Sequence, residues 1–463
     1  MSCIISAPST NDGKTTLSLL ISCWAASKGI KLQSFKVGPD YLDQQQLSSL
    51  GHPVCRNLDV FMSGEKWVKK TFLNYTKLSN IAFIEGAMGL FEGLGSTNYS
   101  STAHVAKILN LPVIFIIDAK GKVGSLLAIF KGFQNLDKEI SIKGIVFNNV
   151  NSDRHKKLIQ EVFDGQKVKI IGFLPTNNNI TIERGNLGLI SPAESTNKID
   201  IDYYSNFAEK NLNFRLLMKF LKTKNREVKE LSHKNIRLKE IYKPVAIAED
   251  QIFHFQYPET KEYLSEMGIP LIPWNLYEDE EIPHEAHSLI IPGGFPEKYA
   301  EQISNSKKSL NSLKDFYKRG FIYAECGGMM LLANSIKVED GTIHKMAGIL
   351  PFDTKKGRLS IGYRYIKGNK NSQLIKKGQN CRGHEFHYWQ IDDEISRNHN
   401  KTQISSSFVS PWEIKSWGTK YKKEGWSNEN LHASWIHLHF PSNIEATESL
   451  LKKIEKRSFK FSN

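Results

Sequence analysis

The sequence is poor in features that would tie it to an oxidising compartment, a membrane or a polynucleotide. Its five cysteines, Cys3, Cys23, Cys55, Cys326 and Cys381, are an odd number with no CxxC pair. This argues against a disulfide framework and a structural zinc site, and it fits a reducing compartment. No apolar run approaches the roughly 18 residues a membrane helix needs, so no membrane partner is expected. The N-terminus runs straight into "CIISAP" without a basic segment, an apolar core and a cleavage site. No secretory signal is expected, and a cytoplasmic location is. There is no dense arginine block and no recognised nucleic-acid motif, which makes nucleic acid the weakest partner class. Internal repeats and low-complexity tracts are also missing.

What is present is an ordinary globular composition spread over 463 residues, enough for two or three domains. The net charge is +14. The basic residues are scattered, with local clusters such as "KTKNREVKELSHKNIRLKEIYK" at 222–243. Such a surface either simply keeps a protein soluble or steers an acidic small molecule. Short, continuously apolar runs fall at 3–7, 32–37, 81–86, 112–118, 143–150 and 168–175, with helical patterns between them. Runs of this kind suit strands buried on both faces, and the alternation predicts a parallel sheet covered by helices. After the charged stretch, "PVAIAED" (244–250), "HSLIIPGGFPE" (287–297) and "GFIYAECGGMMLL" (320–332) start a second alternation. A second α/β domain follows from it.

The first run leads into "SAPSTNDGKTT". This is a phosphate loop with Pro8 in the place of the first glycine, completed by Gly13, Lys14 and Thr15. Backbone N–H groups at the start of the next helix can hold phosphate oxygens, Lys14 can neutralise them, and the Thr15 hydroxyl can reach Mg²⁺. Leu17, Leu20, Ile21 and Trp24 give that helix an apolar face. Two carboxylates at strand ends, Glu85 and Asp40, are candidates to complete the metal site.

In the second half, "FIYAECGGMMLL" reads as strand, sharp turn and helix, with Cys326 in the turn. This is the layout of a nucleophile elbow. A cysteine there is expected to be exposed, with its pKa lowered by the helix N-terminus. The N–H groups of Gly293 and Gly294, with that of Gly327, are placed to form an oxyanion hole. Either His437 or His439 of "HASWIHLHF" could be the base. "RGHEFHYW" (382–389) spaces its histidines three apart, so it is not the helical H-E-x-x-H zinc motif.

Taken together, "FKVGPDYLD", "RNLDVFM", "IEGAMGLFEG", "PGGFPE", "YAECGGMM" and "GHEFHYW" closely resemble the cobyrinic acid a,c-diamide synthase family, over essentially the whole chain. The resemblance implies an N-terminal P-loop parallel-sheet ATPase domain similar to dethiobiotin synthetase (1–215). A charged linker (216–243), a class I-type glutaminase α/β domain (244–445) and a C-terminal tail (446–463) would follow. It implies ATP and glutamine as co-substrates, Mg²⁺ as the ion and an anionic corrinoid as the acceptor, amidated on its a and c acetates through an acyl phosphate. Hydrogenobyrinic acid or a nickel tetrapyrrole is equally open as the ring, and a homodimer is open too. By the same resemblance Gly13, Lys14, Thr15, Thr16 and Asn148 would bind ATP, with Asn148 toward adenine. Thr15, Glu85 and Asp59 would hold the metal. Asp40, Tyr41, Leu42 and Glu92 would lie around substrate and intermediate, Glu92 standing where the family commonly has aspartate. Pro8 belongs to the family's loop, and Asn11 stands where glycine is usual. Cys326 and His437 would form a Cys–His pair, because His439 occupies the place where many class I glutaminases carry glutamate. A partitioning-type ATPase switch is the rival from another class. Such switches carry a second lysine where this chain has Ser9.

Overall fold

The structure, a computed structural model, describes residues 2–180, 184–185, 188–189, 198–223, 243–369, 372–392 and 408–456. The chain divides into two compact units, 1–232 and 233–463.

The first unit is built on a seven-stranded sheet. Its strands are β1 (Cys3–Ser6), β2 (Leu32–Val37), β3 (Arg56–Leu58), β4 (Ile81–Glu85), β5 (Val113–Asp118), β6 (Ile142–Asn148) and β7 (Lys169–Leu174). The order is β3-β2-β4-β1-β5-β6-β7, parallel throughout. All six apolar runs are strands, and β1, β2 and β4 are buried along their whole length. β3 went unseen because its three residues, "RNL", carry too little apolar signal. The phosphate loop opens into helix α1 (Lys14–Ser27). Its expected face is buried, but so are Leu19 and Cys23 on the other side. The helix Ile201–Asn211 covers that side through Ser205, which shares a 2.6 Å hydrogen bond with Ser27, and Phe214 stacks on Trp24 at 4.0 Å.

This covering layer corrects the expected boundary at 215. The helix Phe214–Leu221 sends Leu217 and Leu221, both fully buried, into the same core. Lys222 bridges to Ile81, and the Thr223 hydroxyl donates to the Ser79 carbonyl. The charged stretch therefore does not start as a linker at 216. Residues 224–242 lie outside the described residues.

Among the described residues the second unit has two sheets. The central one runs Leu271–Trp274, Val245–Ala248, Ser288–Ile291, Phe321–Glu325, Leu431–Ser434, Trp426–Asn428, with only the last pair antiparallel. The other is organised by a long antiparallel pair, Asp353–Gly368 with Asn380–Ile391, flanked by Ile436–Leu438 and Trp412–Lys415. The chain passes from one sheet to the other at Trp435, between Leu431–Ser434 and Ile436–Leu438. Residues 446–463 were expected to be a tail. Instead the helix Ile444–Lys456 buries Ala446, Leu450 and Leu451 in the core of this unit.

Leu217→Ala should cost about 2–5 kcal/mol in the unfolding of the N-terminal unit, because it removes a fully buried leucine side chain. A denaturant titration that shows no loss would return 216–223 to the linker.

Candidate functional sites

In the N-terminal unit the phosphate loop takes an unusual path without strain. Asn11 has φ 74 and Gly13 φ 115. Asparagine tolerates the left-handed region better than other non-glycine residues, so it can stand where glycine is usual. Asp12 ties the loop back on itself by accepting from the Ser9 N–H and hydroxyl. Asn148, at the end of β6, donates its amide to the Asp12 carbonyl at 3.0 Å. Asn148 thus braces the loop, and its Nδ2 is engaged there. The ammonium of Lys14 rests 2.8 Å from the Ser9 carbonyl. Burial and the neighbouring Lys36 charge lower its pKa to about 8. Thr16 follows, half-buried, in the first turn of α1.

Glu85 closes β4 and is fully buried. One of its oxygens, Oε1, accepts from the Thr15 hydroxyl at 2.7 Å and from the Lys36 ammonium at 2.8 Å. Oε2 is buried with no hydrogen-bond partner among the described residues. An orphaned carboxylate oxygen beside a P-loop hydroxyl suits a hard cation that nucleotide phosphates and water would complete. The residues therefore fit Mg²⁺. Among the described residues no group of three or more His, Cys, Asp or Glu could hold a metal by itself.

Lys36 is the residue sequence reasoning missed here. It is buried on β2 with its Nζ against Asp43 and Glu85, and 3.9 Å from Asp40. Burial opposes its charge, but these carboxylates overcome that and hold its pKa well above the ordinary lysine value. Asp40 Oδ1 accepts from the Asp43 N–H, and Asn57 on β3 clamps the Gly38 and Asp40 carbonyls. Three further expected site residues lie in this region. Asp59 was a metal candidate. It is buried as the N-cap of the helix Val60–Thr76, with Oδ1 accepting from Met62 N–H at 2.9 Å. Tyr41 and Leu42, expected around substrate, have side chains buried in the unit. Lys36, Asp40 and Asp43 are the charged groups of this segment. Glu92 packs over Gly89, beside the Pro8 carbonyl of the phosphate loop.

In the C-terminal unit Cys326 adopts φ 47, ψ −107 between the strand Phe321–Glu325 and the helix Gly327–Leu332. A positive φ at a non-glycine residue is strained, as expected of an elbow. The expected exposure is not found: Cys326 is 3% exposed. Burial, with Glu297 next, pushes the thiol up rather than down, and only the Gly327 N–H pulls the other way. Its Sγ donates to the Phe386 carbonyl at 3.7 Å.

The strand Leu431–Ser434 runs beside the nucleophile strand, and Cys326 N–H donates to the Ser434 carbonyl at 2.7 Å. Three residues on, His437 arrives against Gly293, where a Cβ would lie 2.4 Å from its Cε1. The two glycine loops also touch, since a Cβ on Gly327 would lie 2.8 Å from the Gly294 carbonyl. Cys326, Gly293, Gly294, Gly327 and His437 are therefore brought together. His439 is elsewhere, bonded to the Ser442 hydroxyl and edge-on to Tyr257.

A bare Cys–His pair is not what the structure contains. Glu325, the residue before the nucleophile, places Oε2 3.3 Å from His437 Nδ1. Its Oε1 accepts from the Tyr323 hydroxyl and from Leu438 N–H. The segment 382–389 is strand, not helix. Glu385 there accepts from Arg364, Ser360 and His387, and His387 stacks on Trp435 where the chain changes sheets.

Two family descriptions match the chain: a CobQ/CobB/MinD/ParA nucleotide binding domain at 3–187 and a CobB/CobQ-like glutamine amidotransferase domain at 245–444. The cobyrinate a,c-diamide synthase of Synechocystis is 32% identical, covering 97% of this chain and 92% of that protein. That of Caldanaerobacter subterraneus is 32% identical over 97% of each, and that of Picrophilus torridus 33% over 97% and 98%. The chain belongs to the cobyrinate a,c-diamide synthase family. Both halves of that family's architecture, a P-loop parallel-sheet domain and a glutamine amidotransferase domain, are present. Among the described residues no helix is long and apolar enough to cross a membrane.

Glu325→Gln should lower kcat for glutamine hydrolysis by roughly 10²- to 10⁴-fold with little change in KM, as expected when the group that orients a base is lost. An unchanged kcat would leave Glu325 with a packing role. Lys14 gives a pH prediction. With its pKa at about 8 it is largely neutral at pH 9 and charged at pH 6. Bound phosphates favour the charged form, so ATP binding should take up protons at pH 9. Calorimetry in buffers of different ionisation heat would measure this uptake, and Lys14→Met should abolish it.

Proposed function

We propose that the chain amidates the a and c acetate carboxylates of cobyrinic acid, using ATP and ammonia drawn from glutamine. The observation that carries this reading is the pairing in one chain of a glutaminase array, Cys326–His437–Glu325, with a phosphate loop whose Glu85 keeps a buried oxygen open. Ser9, where a partitioning switch has lysine, speaks against the rival.

At the glutaminase site Cys326 Sγ attacks the side-chain amide carbon of glutamine, and its proton passes to His437. Glu325 meets the charge that forms on the imidazole. The N–H groups of Gly293, Gly294 and Gly327 face the tetrahedral oxyanion. His437 returns the proton to the leaving nitrogen, ammonia departs, and water hydrolyses the thioester to glutamate. In the N-terminal unit an acceptor carboxylate oxygen attacks the γ-phosphorus and ADP leaves. Ammonia then attacks the acyl phosphate, the amide forms and phosphate departs. Lys14 and Lys36 offset the charge of the phosphates and of the acceptor carboxylate, while Asp40 and Asp43 hold Lys36 in place. Thr15 and Glu85 would hold Mg²⁺, which supplies further positive charge on the phosphates when bound. A cytoplasmic setting goes with this reading.

Incubating the protein with ATP, Mg²⁺, glutamine and cobyrinic acid should yield the diamide by mass analysis. Parallel assays with the cobalt-free acid test the choice of ring. Cys326→Ala should lose at least about 10³-fold of glutamine-driven amidation and keep the rate with ammonium salts. A Cys326→Ala variant indistinguishable from wild type with either nitrogen donor would make the glutaminase half a scaffold for the first.

A further inference from the structure

Glu325 divides its two oxygens between different partners. Oε2 lies 3.3 Å from His437 Nδ1. Oε1 accepts from Leu438 N–H at 3.0 Å and from the Tyr323 hydroxyl at 2.5 Å. The division matters because the last torsion of a glutamate is soft and roughly two-fold. The backbone and the earlier torsions place the carboxylate, but hydrogen bonds decide how its plane is turned. With two donors on Oε1, Oε2 is held toward the imidazole.

The two donors differ in origin. Leu438 directly follows His437, so its N–H belongs to the strand of the base. Tyr323 belongs to the nucleophile strand, two residues before Glu325, where side chains share a face. The packing agrees with this alternation: Phe321 and Tyr323 enter one core of the unit, Ile322 and Ala324 the other. The Tyr323 ring is buried and has little room to move. His432, directly opposite on the neighbouring strand, stacks on it at 5.6 Å and 14°, and Phe440 meets it edge-on at 5.1 Å. A ring held by two others keeps its hydroxyl at a fixed point. Among the described residues that hydroxyl has one hydrogen-bond partner, Glu325 Oε1. Burial and, next, the Glu325 charge hold the phenol well above its ordinary pKa, so it stays a donor at neutral pH.

We infer that Tyr323 is a positioning residue of the glutaminase site, which turns the Glu325 carboxylate so that Oε2 faces His437. The inference rests on the Cys326–His437–Glu325 reading above and adds a residue that acts only through Glu325. When the proton moves from Cys326 to His437, a carboxylate already turned needs no rearrangement to meet the imidazolium.

The test follows glutamate release by the full chain with glutamine, ATP, Mg²⁺ and cobyrinic acid present. Wild type, Tyr323→Phe, Glu325→Gln and the double variant are compared. Tyr323→Phe keeps the ring and removes the hydroxyl. It should lower kcat roughly 10- to 100-fold, the worth of one hydrogen bond to a charged group, with KM for glutamine within about twofold. In the Glu325→Gln background the same substitution should change kcat by less than about twofold, because the carboxylate it turns is gone. A Tyr323→Phe variant with wild-type kcat overturns the inference and leaves the role of Glu325 intact. Equal losses in both backgrounds, the mark of a loosened or misfolded unit, overturn it as well. Glutamate release that survives in Cys326→Ala overturns the glutaminase reading itself, and the inference with it.

Discussion

A carboxylate buried at the carboxyl end of a parallel strand has to be compensated, and both sites of this chain are organised by that requirement. Removing a charge from water costs several kcal/mol unless charge and hydrogen bonds replace the lost hydration. Glu85 ends β4 with no exposure and concentrates its compensation on one oxygen, which takes both the Thr15 hydroxyl and the Lys36 ammonium. The other oxygen has no hydrogen-bond partner among the described residues. Lys36 in turn is kept charged by Asp43 and Asp40 as well as Glu85. This ionic set spans β2, β4 and the segment after β2, and it stands where the phosphate loop begins its helix.

Glu325 repeats the device in the other unit. It ends the strand Phe321–Glu325, and its neighbours are a tyrosine hydroxyl, a backbone N–H and the His437 imidazole. "FIEG" and "YAEC" are alike in placing glutamate as the last strand residue, with the chain turning sharply next. The strand buries the carboxylate, and the turn directs the following residues at the reacting groups. In the first case the partner is a cation site, in the second a base.

The sequence disclosed the parts whose signal is local. Six of the seven strands of the N-terminal parallel sheet are continuous apolar runs, the phosphate loop is a short motif, and the elbow is a strand, a cysteine and two glycines. Groups paired across long separations were hidden. Lys36 meets Glu85 49 residues away, and Glu325 meets Leu438 N–H 113 residues away, beside His437. The lysine inside "LQSFKV" has no local partner in the sequence; the sheet order β3-β2-β4 sets its strand directly beside the one that ends in Glu85. Asp59 was not foreseen as a cap, because a carboxylate in the loop before a helix can serve a cap or a metal and the sequence alone does not say which. The long strand Asp353–Gly368 was illegible because its charged and apolar residues mix, one face being solvated and the other packed.

The burial of Cys326 ties these observations to reactivity. A thiol, unlike a thiolate, is a weak nucleophile. Burial and the nearby carboxylates Glu297, Glu385 and Glu325 all work against a lone sulfur anion here. Moving the proton from Sγ to His437 creates a thiolate and an imidazolium together, so the net charge of the Cys326–His437–Glu325 set does not change. In a low-dielectric site such a pair attracts strongly, and a carboxylate 3.3 Å from the far imidazole nitrogen stabilises its cationic half. Glu325 meets that imidazolium in a site whose adjacent strand carries the buried His384, its own pKa lowered by burial to about 3. The same burial that makes the resting cysteine unreactive thus makes the glutamate before it necessary once the cysteine is to act.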